Sequence, residues 1–475
     1  MVEADIKTVR MMTVTDSMAL RKDRLSRKIL TLKESSIAQQ GSKHRIHKMT
    51  YKLPRTIDPS PIAVLLMVLL SVPSLAEQLV PAQTVGISAE RLQRVDTLSQ
   101  RYVDEGRVAG MVTLVSRHGK LVQARAEGAM GLDNPLPMQM DTLFRIYSMT
   151  KAVTAVAALI LYEEGRFHLD DPVEKFLPSL AALQVEHEGR LRAATTPMTM
   201  HHLFTHMAGF SYGYGDAAYT AQIAALDLAG SPDTATYIER LSKLPLKHDP
   251  GLGWAYGFST DVLGAVVEAL SGQRLGVFMA ERIFTPLGMT DTFFEVPEDK
   301  LHRLASNHLW NKEASAMVVV SGLPFAPGYR VSKFDGGGAG LISTAGDYLK
   351  FLEMLRRGGE IDGKWLLSPK LLKYMAQDHL PKSITDANIG QDHDRSLGLG
   401  GGHGLGIGVY IDPVRRGVLS SKGELDWGGA AGTVYWLDPV EDIIVIGMTQ
   451  LFASPWRLRD DLSVATYQSL TVTLE

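Results

Sequence analysis

From Ala152 to Leu161 the chain reads AVTAVAALIL, ten residues without a charge, framed by Ser148-x-x-Lys151 before it and Gly165 after it. As a helix this run is apolar on every face, and such a helix is stable only inside a core. A chain of 475 residues, 45% of them hydrophobic, is large enough to enclose it. Ser148 and Lys151, three apart at its head, project from one helix face within reach of each other. Burial of the lysine stem favours the neutral amine, which can take a proton from the serine, so the pair can serve as a nucleophile and its base. The spacing alone is a weak signal, because a chain of this size contains about one such pair by chance.

Charge narrows the partners. Residues 1–48 carry eleven Lys/Arg against five Asp/Glu, so the formal total of -3 leaves an acidic main body. An acidic body lacks the clustered cations a nucleic-acid groove needs, and no nucleic-acid partner is expected. With no cysteine, disulfides, thiolate nucleophiles and Cys-bound zinc are all excluded. The stretch from Met49 places Lys52 and Arg55 before an apolar run, Ile62 to Val72, and small residues at Ser74 and Ala76. That order predicts a signal peptide over 49–76, cleaved near Ala76, and a periplasmic or secreted protein. The run is about half the roughly 20 residues of a membrane span, so no stable membrane insertion is expected. Residues 1–48 then read as a disordered or spurious extension, and 77–475 as the folded domain.

Along that domain, GISAERLQRVDTLSQRYVDEG (86–106) has helical periodicity with Ser88 as cap, and two strands flank a turn at His118-Gly119. After the apolar helix the chain is mainly helical to about residue 300. Near the end, HGLGIGVYID, GVLSSKG, GTVYWLDP and DIIVIGMTQ read as short strands, and SPWRLRDDLSVATYQSL as a closing helix. Strands at both ends with helices between predict an α/β (α+β) sheet part, about 77–160 and 325–475, interrupted by a helical part, about 161–324.

FRIYSMTK followed by LYEEGRFHLDDPV closely resembles the serine β-lactamase and penicillin-binding superfamily, in particular the family VIII carboxylesterases, which are like class C β-lactamases. MTMHHLFTHMAGFSYG, PGLGWAYGFSTDVLGAVVEALSG, PLGMTDTFF, DGGGAGLISTAGDYLKFLEML and DWGGAAGTVYWLDP are similar to further blocks of it, in its order, over about 86–475. The resemblance implies a β-lactamase-like fold, an antiparallel sheet flanked by helices plus a mainly helical domain. It implies Ser148 as nucleophile, Lys151 as base, and Tyr256 of YGFS as the group passing a proton between serine and leaving group. It puts the amides of Ser148 and Ala430 at an oxyanion hole. Trp427-Gly428-Gly429 matches the Lys-Thr-Gly of most β-lactamases, and Phe258 stands where they have an asparagine. Both departures remove polar contacts to a β-lactam, so neutral, apolar esters are expected, with slow β-lactam cleavage; short acyl chains are the default, since nothing in the sequence suggests a lipase lid. Tyr147 and Tyr212 complete the expected substrate-binding set with Trp427, Gly428, Gly429 and Phe258. No cofactor or metal is implied. A β-lactamase or D-Ala-D-Ala peptidase is the alternative enzyme, and a non-catalytic cell-wall binding protein the alternative outside catalysis.

Other signals weigh less. His202 and His206 could share a helix face as metal ligands, but no glutamate follows the first, and a structural His206 bonding to backbone is favoured. GGGAG (336–340) and GLGGGHGLG (398–406) lack the Gly-Lys-Ser/Thr end of a phosphate loop and read as turns and flexible loop near the site. Phe210, Tyr212 and Tyr214 line an acyl pocket or belong to a surface loop with equal weight. No Gly-x-Ser-x-Gly elbow occurs.

Overall fold

The computed structural model describes residues 79–321, 333–387 and 397–474. The expected signal peptide and the extension before it lie outside them. Ser88 accepts from the Arg91 N–H at 3.3 Å and starts α1 (Ala89–Asp104), whose Leu92, Val95, Leu98 and Tyr102 recur on one buried face. Next come β1 (Gly110–Arg117) and β2 (Lys120–Gly128). Their two-residue turn has positive φ at His118 (54°) and Gly119 (68°), the backbone that suits strand twist.

The apolar run forms α2 (Thr150–Glu163), every residue of which from Thr150 to Leu161 is buried. Truncating a fully enclosed side chain there, such as Leu159, would remove about 2–5 kcal/mol of stability. Then follow β3 (Gln184–His187), β4 (Arg190–Ala193), α3 (Ser259–Ser271) and α4 (Ala345–Arg356). The C-terminal part supplies β5 (Gly401–His403), β6 (Gly408–Tyr410), β7 (Leu425–Gly428), β8 (Val434–Asp438), β9 (Ile443–Met448) and the closing α5 (Leu458–Tyr467).

Seven strands make one antiparallel sheet in the order β5-β6-β7-β8-β9-β1-β2. The two ends of the chain meet where β1 pairs with β9, from Val112↔Met448 to Arg117↔Ile443. Strand alternation then sorts the side chains. Val112, Leu114, Ile444, Ile446 and Tyr435 join the core with α2 and α4, while Met111, Val115, Ile443, Val445 and Trp436 pack under α1 and α5. Both faces of β1 and β9 are buried, so the sheet lies between two helical layers.

Three local expectations need correcting. The part read as helical, about 161–324, also holds the β3–β4 hairpin and a second hairpin, His308–Asn311 with Ala316–Val319. GVLSSKG forms no strand, following instead a short helix, Pro413–Arg416. GLGGGHGLG is not a flexible loop throughout, since it contains β5. Gly401 and Gly404 pass so close to the carbonyls of Leu397 and Met375 that a Cβ would come within 2.0 and 2.1 Å, so sheet-edge packing decides there. Among the described residues no single helix is long and apolar enough to cross a membrane.

Candidate active site

Ser148 lies in a single 3-10 turn, Tyr147–Met149, leading into α2. Tyr147 has φ of 43°, a left-handed backbone that costs a residue with a side chain on the order of 1 kcal/mol. Its ring is held in place: the hydroxyl accepts from Asn307 Nδ2 at 3.0 Å and the ring meets Phe452 edge-on at 5.1 Å. The turn leaves Ser148 partly open while Tyr147, Met149, Thr150 and Lys151 are buried.

Lys151 Nζ donates to Ser148 Oγ at 3.3 Å, to the Tyr212 hydroxyl at 3.2 Å and to the Gly338 carbonyl at 2.7 Å. It also lies 4.7 Å from the centre of the Tyr256 ring. These acceptors hold the amine between Ser148, Tyr212 and the 336–340 segment. The Gly338 carbonyl reaches in because 336–340, the GGGAG segment, threads between α2 and α3, with Gly337 too close to Thr260 O for a Cβ.

Tyr256 precedes α3 on an extended segment. A Cβ at Gly257 would approach Phe210 O to 2.4 Å, and the Tyr212 N–H donates to Tyr256 O at 3.1 Å, so the two segments run against each other. That close approach puts Tyr212 and Tyr256 on one wall, rings 5.5 Å apart. Tyr212 therefore sits on the lysine itself, and burial, with the charge of Asp261, pushes its phenol well above the usual range. Asp261, also raised by burial, accepts from the Gly338 N–H at 3.0 Å. Sequence reasoning passed over Asp261 and the Gly338 carbonyl, since an aspartate in a helix's first turn ordinarily serves the helix dipole. Phe258 packs its ring 4.6 Å from that of Tyr212, Phe210 is core, and Tyr214 is exposed.

The third segment is β7. A Cβ on Gly429 would meet Ile146 O at 2.5 Å, so only glycine lets the strand end lie against the Ser148 turn. Trp427 Nε1 donates to the Tyr256 hydroxyl at 3.2 Å. Among the described residues no backbone carbonyl takes up the N–H of Ser148 or of Ala430. Both residues line two cavities that meet at the serine. One is narrow, about 40 Å³, walled by Tyr212, Leu228, Tyr237, Phe258 and Phe334. The other is wide, about 360 Å³, walled by Tyr256, Tyr410, Arg416, Trp427 and Arg459.

Behind Tyr256 lies His206, its ring 4.9 Å away, with His403 5.3 Å further back. Among the described residues the expected backbone bond of the His206 ring is not made at Nδ1, which has no partner there; its own carbonyl instead accepts from the Ala255 N–H at 2.9 Å. Burial drives both imidazoles toward the neutral form, His403 down to about 4. His202 turns away, its Nδ1 accepting from the Thr199 N–H at 3.2 Å in a capping box. Among the described residues no three His, Asp or Glu side chains are grouped for a metal.

A β-lactamase family model matches residues 95–467. The chain belongs to the β-lactamase family. Within that family, the esterase EstB of Burkholderia gladioli is 31% identical to it over 385 residues, 76% of this chain and 91% of the esterase. Two solved structures share the fold. EstCE1, described as a hydrolase with promiscuous acyltransferase activity, has 27% identity and a TM-score of 0.67, covering 80% of this chain and 99% of its own. Simvastatin synthase (LovD) of Aspergillus terreus has 27% identity and a TM-score of 0.68, covering 80% and 97%. The β-lactamase-like fold expected from the sequence holds, as does the likeness to the esterase branch of the β-lactamase family.

Proposed function

We propose that the protein is a carboxylesterase that hydrolyses esters of short acyl chains through an acyl-enzyme on Ser148. One observation carries this reading: Ser148 Oγ, bonded to Lys151 Nζ, stands where the narrow apolar cavity and the wide cleft meet, beside the amide of Ala430. The acyl chain enters the narrow cavity, and its carbonyl oxygen turns to the N–H groups of Ser148 and Ala430. Ser148 Oγ attacks the carbonyl carbon as its proton passes to the Lys151–Tyr256 pair. The bond to the alcohol oxygen breaks, and Tyr256 returns a proton to it. Water then attacks the acyl-enzyme, releasing the carboxylic acid and restoring the serine. Oxyanion donors of this kind are worth about 2.7–4 kcal/mol each where measured. The likeness to an esterase from Burkholderia gladioli supports the ester as substrate class.

The indole of Trp427 offers no ion pair to a β-lactam carboxylate, and Phe258 offers no amide, so β-lactam hydrolysis is secondary. The segment 49–76, with its basic, apolar and small residues in order, supports a periplasmic or secreted location.

The test is parallel hydrolysis of p-nitrophenyl butyrate and nitrocefin by the full chain, with Ser148→Ala as control. Far faster ester turnover, lost in the variant, is expected. Faster nitrocefin turnover would make the protein a β-lactamase. Fluorophosphonate labelling of Ser148 without turnover of either would make it a binding protein.

A further inference from the structure

The wide cleft holds an arginine that makes no direct ion pair among the described residues. Arg416 closes the short helix Pro413–Arg416, and its guanidinium lies 5.6 Å from the centre of the Tyr410 ring. Among the described residues it forms no direct ion pair, although it lies within electrostatic range of Asp426, and its Nε is buried without a hydrogen-bond partner. Every other charged group lining that cleft has a partner. Arg459 pairs with Glu424 and, at 3.7 Å, with Asp426; Asp426 accepts from the Tyr410 hydroxyl at 2.9 Å; Asp460 pairs with Arg457 at 2.5 Å. Among the described residues Arg416 is thus the one charged group of the cleft without a direct ion pair, laid on a tyrosine face, and a planar guanidinium there suits a carboxylate. Tyr256, which protonates the leaving alcohol in the proposed mechanism, lines this cleft and not the narrow one. The alcohol half of the ester therefore departs past Arg416.

We infer that Arg416 is a specificity-determining residue that binds a carboxylate on the alcohol half of the substrate, making the preferred substrates short-chain acyl esters of hydroxy acids. This rests on the esterase reading and refines it. Neutrality, expected from Trp427 for the whole ester, then applies to the acyl half only, because Arg416 lines the wide cleft and not the narrow cavity.

Two esters with the same phenolic leaving group test it, 4-(butanoyloxy)phenylacetate and the neutral 4-(butanoyloxy)phenylacetamide. The expected result is a kcat/KM ratio favouring the carboxylate by about tenfold or more, carried in KM, that collapses in Arg416→Gln and is largely kept in Arg416→Lys. Equal handling of the two esters by the wild-type protein, or a ratio indifferent to Arg416→Gln, overturns the inference. Calorimetry provides a readout independent of turnover: 4-hydroxyphenylacetate should bind Ser148→Ala about tenfold more tightly than Ser148→Ala/Arg416→Gln, and equal binding overturns it too. If neither ester is cleaved, the esterase reading fails while the binding comparison still decides the subsite. Unchanged melting temperatures confirm that each variant is folded.

Discussion

The Trp427 indole N–H donates to the Tyr256 hydroxyl at 3.2 Å, tying the residue that replaces the usual third-motif lysine to the second motif. The bond leaves the phenol oxygen less able to hold its proton, since a donor stabilises the phenolate over the phenol. Trp427→Phe keeps an aromatic wall and removes the donor. A hydrogen bond to a charged group is worth about 1.5–3 kcal/mol, so kcat on p-nitrophenyl butyrate should fall about tenfold to a hundredfold with KM nearly constant. Steady-state kinetics with the variant checks it.

Gly429→Ala should be more damaging than its size suggests. The new methyl would meet Ile146 O at 2.5 Å and Thr433 Oγ1 closer still, forcing the end of β7 from the nucleophile turn. With Ala430 displaced from Ser148, loss of one oxyanion donor predicts a fall in kcat of about 10²–10³. The protein should still melt cooperatively, which calorimetry would show alongside the kinetics.

In the proposed reaction acyl length is set by the narrow cavity, where Leu228 is buried and Tyr237 lies 4.7 Å from Phe334. Leu228→Ala lengthens that space. The ratio of kcat/KM for octanoate over butyrate esters should rise about tenfold, at roughly 1–3 kcal/mol for each methylene newly accommodated. An unchanged chain-length profile would place the acyl group elsewhere.

The imidazole layer behind Tyr256 predicts an acid-side loss of stability. His403 is held neutral by burial, its value brought down to about 4 from the usual 6.5, and His206 moves the same way. Because the folded form binds the proton less well than the unfolded chain, the contribution is complete above about pH 6.5 and is lost as pH falls toward 4. It amounts to at most about 3 kcal/mol for His403. Urea midpoints at pH 7.5 and 4.5 should differ less in His403→Gln than in the wild-type protein.

The parts legible from the sequence were those with local causes. The all-round apolar α2, the Ser88 cap and the His118-Gly119 turn each follow from residues within a few positions of one another. Ser148, Lys151 and Tyr256 stand in quotable motifs, and the fold brings all three together. What could not be read depends on chain segments far apart. β5 is a strand because β6 and neighbouring carbonyls leave its glycines no alternative, although their local propensity opposes a strand. Tyr212 reached Lys151 only because Gly257 lets two segments touch, and Arg416 enters the cleft from a Pro-led turn with no motif of its own.

The two walls that enclose Ser148 come from separate stretches of chain. Residues 212–261 and 334–340 build most of the narrow side, and residues 410–460, with Tyr214 and Tyr256, the wide side, against a serine in the turn that leads into α2. Selectivity for the acid and selectivity for the alcohol are therefore separately mutable traits: exchanging the 410–417 segment for that of another protein should alter which alcohols are accepted while the range of acids stays the same.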